Sequence, residues 1–519
     1  MKGKRTVSFW GVLLLAPLLG WPQNKEKTIS LSLDECILKA MRNNLGVAVQ
    51  VLNPRLRETV ISLAKEKFAP VLSFSLTRVD EHQPAFSWYD SSDEVSQVYG
   101  ESSLQVRQAI PTGGDFSVHF NTSTYDTNER ALIINPSHRS SLKFNFSQPL
   151  LKDFGPKTAR REILIAQNNL AISKKDLQLA LEETVYRVEE AFWNLVYSLE
   201  NLKVRQYSLQ LAQDLEERNR KAVKGGTKAA VEILAAQAQV ASRKADLLRV
   251  EAEVRTFEDL LKLVINLSAE NAEADLLRIS PQDSLRLERE EMSYEEAVSV
   301  ALLNRPDLEG LRLSRQNNEL QMSFAKNQTL PELNLMASFG SAGVSGTQLI
   351  YPSSDPFGDP VAKIPGGRAD SLKDVFGFKH PNWSVGLTLN VPFRNVLSRA
   401  LYAQAHIDLE QTSLRLKGLE QDVRTRIKIA LRDVEANFLR IEALKVAREL
   451  AEKQLAAEEE KFKAGYSSNY FLLQYQGELA NQRSQEIRAI VDYNLSLANL
   501  KKELGVSLKE KNINLGSGS

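Results

Sequence analysis

The chain has 519 residues with 66 basic and 65 acidic side chains, a net charge of +1 that indicates neither a nucleic-acid surface nor a surface for acidic substrates. Its single cysteine, Cys36, cannot form an internal disulfide, and five scattered histidines offer no zinc-ligand spacing. Beyond the N-terminal leader no stretch reaches 18 consecutive apolar residues, which excludes a helical membrane span.

The first elements are an address and a repeat. Lys2, Lys4 and Arg5 precede an apolar run from Val7 to Leu19, the pattern of a signal peptide over residues 1–22. Trp21 stands where a lipoprotein would carry cysteine, so no acyl anchor is expected. Ser32, Asp34, Glu35, Ala40 and Asn43 then reappear 261 positions later as Ser293, Glu295, Glu296, Ala301 and Asn304, and Pro70 and Leu72 as Pro331 and Leu333. Further on the offset is 239, pairing Ala166 with Ala405, Gly226 with Gly465 and Gln237 with Gln476. The chain is thus a duplication, expected as repeats over 23–267 and 292–508 around a linker or equatorial segment at 268–291, with a flexible tail at 509–519. The two offsets differ by 22 residues, a surplus that lies between Leu72 and Ala166.

Each repeat opens with Ser-x-x-Glu, Ser32 with Glu35 and Ser293 with Glu296, the spacing of a capping box. A helix of about 33 residues is predicted to follow each, kinked at Pro54 in the first copy by loss of a backbone donor. After Pro70 and Pro331 the period becomes two. Leu72, Phe74 and Leu76, then Phe116, Val118 and Phe120, then Leu142, Phe144 and Phe146 alternate with polar residues. Leu333, Leu335, Ala337 and Phe339, and Trp383, Val385, Leu387 and Leu389, do the same in the second copy. These are strands with one apolar and one polar face, a pattern that a soluble sandwich shares with a membrane barrel. Asp80 to Glu101 and Gly340 to Pro381 read as long polar loops. Pro111-Thr112-Gly113-Gly114 reads as a tight turn between two strands, so the surplus residues are expected to form one extra hairpin.

The remainder is predicted helix. From about Lys157 to Ala222, Val188, Phe192, Leu195, Leu199, Leu202 and Leu209 follow a coiled-coil seam. Gly225-Gly226 and Gly465 break the two long helices, and each break is followed by a returning helix of about 37 residues. An outgoing helix of about 66 residues would measure near 100 Å.

Exported strands with a greasy face, too few to close a barrel alone, point to several chains sharing one transmembrane barrel, because an open sheet edge cannot sit in lipid. Here the residues resemble the TolC-like outer membrane efflux proteins. The resemblance is carried by the doubled Ser-x-x-Glu opening, by Ser147-Gln148-Pro149-Leu150-Leu151 and Asn390-Val391-Pro392-Phe393 closing strands, and by the tips Val223-x-x-Gly226...Glu232-Ile233-Leu234...Gln237 and Phe462-x-x-Gly465...Phe471-Leu472-Leu473...Gln476. It implies a mainly α fold with membrane β: long α-helical coiled-coil hairpins and strands contributing to a shared trimeric transmembrane β-barrel. It implies a homotrimer in the outer membrane of a Gram-negative-type cell, in contact with outer-membrane lipid and with a large periplasmic portion. Its partners would be a periplasmic adaptor (membrane fusion protein) and an inner-membrane pump of RND, ABC or MFS type, serving efflux or type I secretion. No cofactor and no catalysis are implied. Family members typically supply four strands per protomer, twelve in all; the extra hairpin raises the expectation to about eighteen, the alternative being longer loops.

The resemblance also places a gate at the hairpin tips. The turns would be Gly225, Gly226 and Gly465, and the gate residues Glu232, Phe462, Ser467, Phe471 and Gln474. Relatives often carry an aspartate six positions after each tip glycine; here Glu232 keeps an acid and Phe471 does not, which implies a less charged constriction. Phe462 and Phe471 could equally fill the hairpin interior. Arg218, Lys221, Lys224, Lys228, Glu458 and Glu459 flank the tips as candidates for adaptor docking, against the plainer reading of solvated faces. The rival to a channel is a periplasmic coiled-coil adaptor or scaffold, which would lack the second copy and the lipid-facing strands.

Overall fold

The computed structural model describes residues 28–513, apart from 87–89, 91, 92, 131, 228, 270–275, 284–286, 288 and 355–357. The expected signal peptide, Lys228 and residues 514–519 of the expected tail therefore lie outside the described residues. In chain order the first half comprises β1 (Thr28–Leu31), α1 (Leu33–Asn43), α2 (Leu45–Glu66), β2 (Val71–Pro84), β3 (Glu94–Ala109), β4 (Asp115–Thr127), β5 (Ile134–Pro149), α3 (Pro156–Ala159), α4 (Arg161–Lys224), α5 (Val231–Ile265) and β6 (Arg278–Pro281). The second comprises α6 (Tyr294–Asn304), α7 (Pro306–Asn327), β7 (Glu332–Ile350), β8 (Ala362–Ile364), α8 (Arg368–Phe376), β9 (Pro381–Asn390), α9 (Val396–Lys463), α10 (Asn469–Leu504) and α11 (Ser507–Glu510).

The opening helices start as their sequences require. Ser32 accepts from the Glu35 amide, and the Glu35 carboxylate accepts from the Ser32 amide at 2.8 Å. Ser293 accepts from the Glu296 amide in the same way. The single helix of about 33 residues is corrected, however, to an 11-residue and a 22-residue helix in both copies. Arg305 is extended (ψ 122°) because Pro306 disfavours helix at the residue before it, and proline then starts α7. Asn44 has the same conformation without a proline. Helix α2 runs on through Pro54.

By packing, the chain divides into two compact units. One comprises Met1–Asn44, Arg187–Leu287 and Arg440–Asn494. Here Val188, Phe192 and Leu195 of the predicted seam are fully buried, whereas Leu199, Leu202 and Leu209 are half-buried. Strands β1 and β6, which the sequence did not disclose, form a two-stranded parallel sheet with Leu31 opposite Pro281. Glu258 of α5, only 3% exposed, holds β6 by accepting from the Ile279 amide (2.7 Å) and from Arg278 (2.8 Å). A buried carboxylate is tolerable when its oxygens are so occupied. Asn44 donates to the Val264 carbonyl and Asn266 to the Asn43 carbonyl, tying the helix break to the left-handed C-cap of α5. Cys36 is fully buried, and burial followed by the neighbouring Glu35 charge pushes its thiol up to about 12.

The other unit comprises Leu45–Tyr186, Glu288–Leu439 and Leu495–Ser519, and holds one antiparallel sheet in the order β2-β3-β4-β5-β7, with β8 and β9 both on the far side of β7. The loops expected at Asp80 to Glu101 and Gly340 to Pro381 are corrected. Strands β2, β3 and β7 continue into them, and α8 and β8 occupy the second. These segments lack period-two alternation because both faces are polar there. The extra hairpin β3–β4 lies within the sheet: Gln97–Ala109 pairs with Thr127–Asp115, and β4 pairs onward with β5. Its turn is seated on the segment that follows β5. Thr112 donates to the Gln148 side chain (2.6 Å) and accepts from the Gly155 amide (2.9 Å). Gly113 has φ +102°, and a Cβ there would stand 2.2 Å from the Asp153 carbonyl oxygen, so only glycine fits.

In this unit Arg305, 7% exposed, is the centre of a buried ion cluster. It binds Asp307 through two nitrogens (3.1 and 2.7 Å) and Glu503 at 2.5 Å. Glu182, 1% exposed, accepts from Gln178 at 3.3 Å, and burial pushes its carboxyl up to about 7 against the pull of Gln178 and Arg305.

Candidate functional site

Through its apolar rows the sheet separates apolar from polar side chains without a slip of register, the shift between Ile134 and Ser137 of β5 lying beyond them. Leu72, Val106, Val118, Phe144, Phe339 and Trp383 stand directly opposite one another across β2, β3, β4, β5, β7 and β9. One residue along, on the opposite face, Ser73, Gln105, His119, Lys143, Gly340 and Asn382 form the matching row. Hydroxyl pairs reinforce that polar face, Ser75 with Ser103 and Ser338 with Ser384, each at 2.7 Å. The apolar positions Trp383 to Leu389 span about 20 Å of strand, on the scale of the roughly 25 Å apolar band of an outer-membrane barrel. Their exposure is high, 76% for Trp383 and 68% for Phe74, a surface that water does not favour and hydrocarbon does. Helix α8 lies on the same side just past the band, where Phe376 stacks on Phe120 and Phe378 on Phe339 with ring centres 5.8 and 5.6 Å apart. No helix among the described residues is long and apolar enough to cross a membrane.

The second locus is the pair of hairpin turns. At the first, Gly226 (φ +71°) donates to the Val223 carbonyl and Thr227 to that of Ala222; at the second, Gly465 (φ +81°) donates to Phe462 and Tyr466 to Lys461. Both are Schellman turns, in which a left-handed glycine lets two orphan carbonyls be satisfied. The repeat is therefore conserved in hydrogen bonding as well as in sequence offset.

The side chains placed there by sequence divide into three groups. Glu232, half-buried at the start of α5, accepts from the side-chain amide of Asn469, the first residue of α10. Ser467 donates to Glu458, whose carboxylate also meets Lys461 at 3.3 Å; those two partners hold it below the ordinary glutamate range. Phe462 packs, partly buried, against the cluster of Leu215, Ala451, Leu455, Leu472, Leu473 and Leu479. By contrast Phe471 is 49% exposed beside Tyr470, and Gln474, three residues on, shares its exposed face. Of the flanking charges, Lys221 pairs with Glu217 at 2.8 Å, Arg218 and Lys224 are exposed, and Glu459 is half-buried.

Sequence reasoning missed Asn469, which is only 2% exposed and whose amide bridges the two tips. An asparagine at the start of a helix after Ser467-Ser468 reads as a cap, and nothing local announces a partner 237 residues away. It also missed the exposed apolar set Val231, Leu234, Tyr466 and Tyr470, between 65% and 87% accessible, which surrounds both turns.

Residues 297–506 match the family described as outer membrane efflux protein. No curated protein matches the chain in sequence. Among solved structures, a membrane protein from Pseudomonas aeruginosa superposes with a TM-score of 0.64 at 15% identity, covering 91% of this chain and 93% of that one. The CmeC outer membrane channel of Campylobacter jejuni gives 0.63 at 13% identity over 99% and 98%. The outer membrane protein VceC from Vibrio cholerae gives 0.62 at 15% over 91% and 96%. The second repeat thus matches the outer membrane efflux protein family, and nearly the whole length of the chain shares the fold of solved outer membrane channels.

Proposed function

We propose that three copies form a passive, gated duct through the outer membrane and across the periplasm of a Gram-negative-type cell, and that a periplasmic adaptor and an inner-membrane pump deliver cargo to its tip. Repeats at 23–267 and 292–508 each supply strands and one helical hairpin, joined through an equatorial segment at 268–291. The observation that carries this is the two-faced sheet. Its apolar row would face lipid and its serine, asparagine, lysine and histidine rows an aqueous lumen, while its open edges require neighbours.

The gate lies at the tips. Glu232 held by Asn469 and Ser467 held by Glu458 order the turns, and Phe471 and Gln474 present their exposed face to the copies around the threefold axis. Arg218, Lys224 and the ring of exposed apolar side chains serve adaptor docking; Glu458, committed to Ser467 and Lys461, orders the turn instead. Reconstitution in planar bilayers tests this. The purified protein is expected to insert and conduct in small, discrete steps, and a preparation that never conducts contradicts the channel reading.

A further inference from the structure

Resting on the trimeric channel reading, we infer that β9 of one copy pairs with β2 of the next, with the apolar faces continuous across the seam, so that three copies close a barrel of eighteen strands. Three observations lead there. The hairpin β3–β4 is hydrogen-bonded into the wall on both sides, and its turn is fastened by Thr112, Gln148 and Gly155. The six long strands alternate in direction, so β2 and β9 run in opposite senses. An even stave of this kind closes into a ring with every junction antiparallel. Finally, the two edges are bare: every residue of β2 and of β9 is exposed, whereas most residues of the strands between them are half-buried or buried. Unpaired backbone groups along two such edges are untenable in hydrocarbon, and the complementary edge of a second copy satisfies both.

Parity fixes the register to a small set. The apolar face carries even numbers on β2 (Leu72, Phe74, Leu76) and odd numbers on β9 (Trp383, Val385, Leu387, Leu389). A slip of one residue would turn one strand's greasy row into the lumen. Residues opposite one another across the seam must therefore sum to an odd number. Aligning the lower rims of the apolar band sets Leu72 against Leu389, and with it Ser73 against Thr388 on the polar face; a stagger of two residues either way gives Gly386 or Asn390 instead. Because barrel diameter grows roughly linearly with strand number, eighteen strands give about 1.5 times the width of twelve. The narrowest point of the duct is then the tip.

The test pairs cysteines across the seam and counts strands. Ser73→Cys combined with Thr388→Cys, Gly386→Cys or Asn390→Cys is expected to give disulfide-linked dimers and trimers under mild oxidation for at least one pair. Ser73→Cys with Leu387→Cys or Leu389→Cys, on opposite faces, is expected to give none. Electron cryo-microscopy of the detergent-solubilised particle is expected to show eighteen strands. Linkage only through the opposite-face pairs, or by no pair while trimers persist, overturns the register. A wall of twelve strands with β3–β4 outside it overturns the barrel size, and both failures leave the channel reading intact.

Discussion

The side-chain amide of Asn469, at the first residue of α10, is bonded to the carboxylate of Glu232 at the start of α5, so one contact joins the turns of the two repeats. By offset Glu232 corresponds to Phe471 in the second copy. The duplicated tips are thus alike in backbone and unlike in side chain. One supplies the acceptor, and the other supplies the donor and an exposed aromatic.

Breaking this contact is expected to loosen the tip. A hydrogen bond to a charged group contributes about 1.5–3 kcal/mol, and Asn469→Ala leaves the Glu232 carboxylate half-buried without that donor. In planar bilayers Asn469→Ala and Glu232→Gln should raise the baseline leak several-fold over the parent, as should Phe471→Ala. Unchanged leak and ion selectivity in all three would remove the gate from this locus.

Glu182 makes stability depend on pH. Its carboxyl titrates near 7 in the folded protein, from an ordinary value of 4.5, because burial disfavours the charge. The folded state therefore holds the proton more tightly than the unfolded one. The associated stability is fully present below about pH 4.5 and is lost as pH rises through 7, a change on the order of 3 kcal/mol. Glu182→Gln should melt like the parent at pH 5 and at a higher temperature at pH 8, as followed by circular dichroism.

The cluster around Arg305 is expected to be intolerant. Arg305→Met strands Asp307 and the Glu503 carboxylate, and loss of one partner from a buried ion cluster costs about 3–5 kcal/mol. Thermal unfolding should begin several degrees lower. Arg312→Met, whose ion pair with Glu420 spans 3.9 Å and is largely exposed, should leave the melt unchanged.

Gly113 pins the hairpin turn. Gly113→Ala combines a positive φ with a 2.2 Å approach to the Asp153 carbonyl, a strain of at least about 1–3 kcal/mol. Gly100→Ala in the adjoining strand meets no atom within 4 Å. On semi-native gels the first should lower the temperature at which trimers dissociate, and the second should not.

Much of this architecture was legible because it is periodic or local. Alternation of Leu72, Phe74 and Leu76 with serine and threonine gives a strand and its greasy face, and Ser32 with Glu35 gives a helix start. The glycine at each tip, and the turn at Gly113, are legible for the same reason. What the sequence withheld depends on distant partners. The helix break at Asn44 is stabilised by Val264, and β1 finds its mate at β6 some 250 residues on. The strands run past the apolar band because hairpin pairing continues where neither face keeps an apolar row, which leaves no alternation to read between Asp80 and Glu101. Asn469 is of the same kind, since its role exists only once α5 and α10 start side by side.

The proposed channel requires that subunits of this protein be incomplete walls that become a membrane duct only by joining. It is tested most directly by fractionating cells and sizing the extracted protein. Sedimentation with the outer membrane, release only by detergent, and a trimer that reverts to monomer on boiling are expected. Recovery of the whole population as a monomer in a detergent-free periplasmic extract would contradict it.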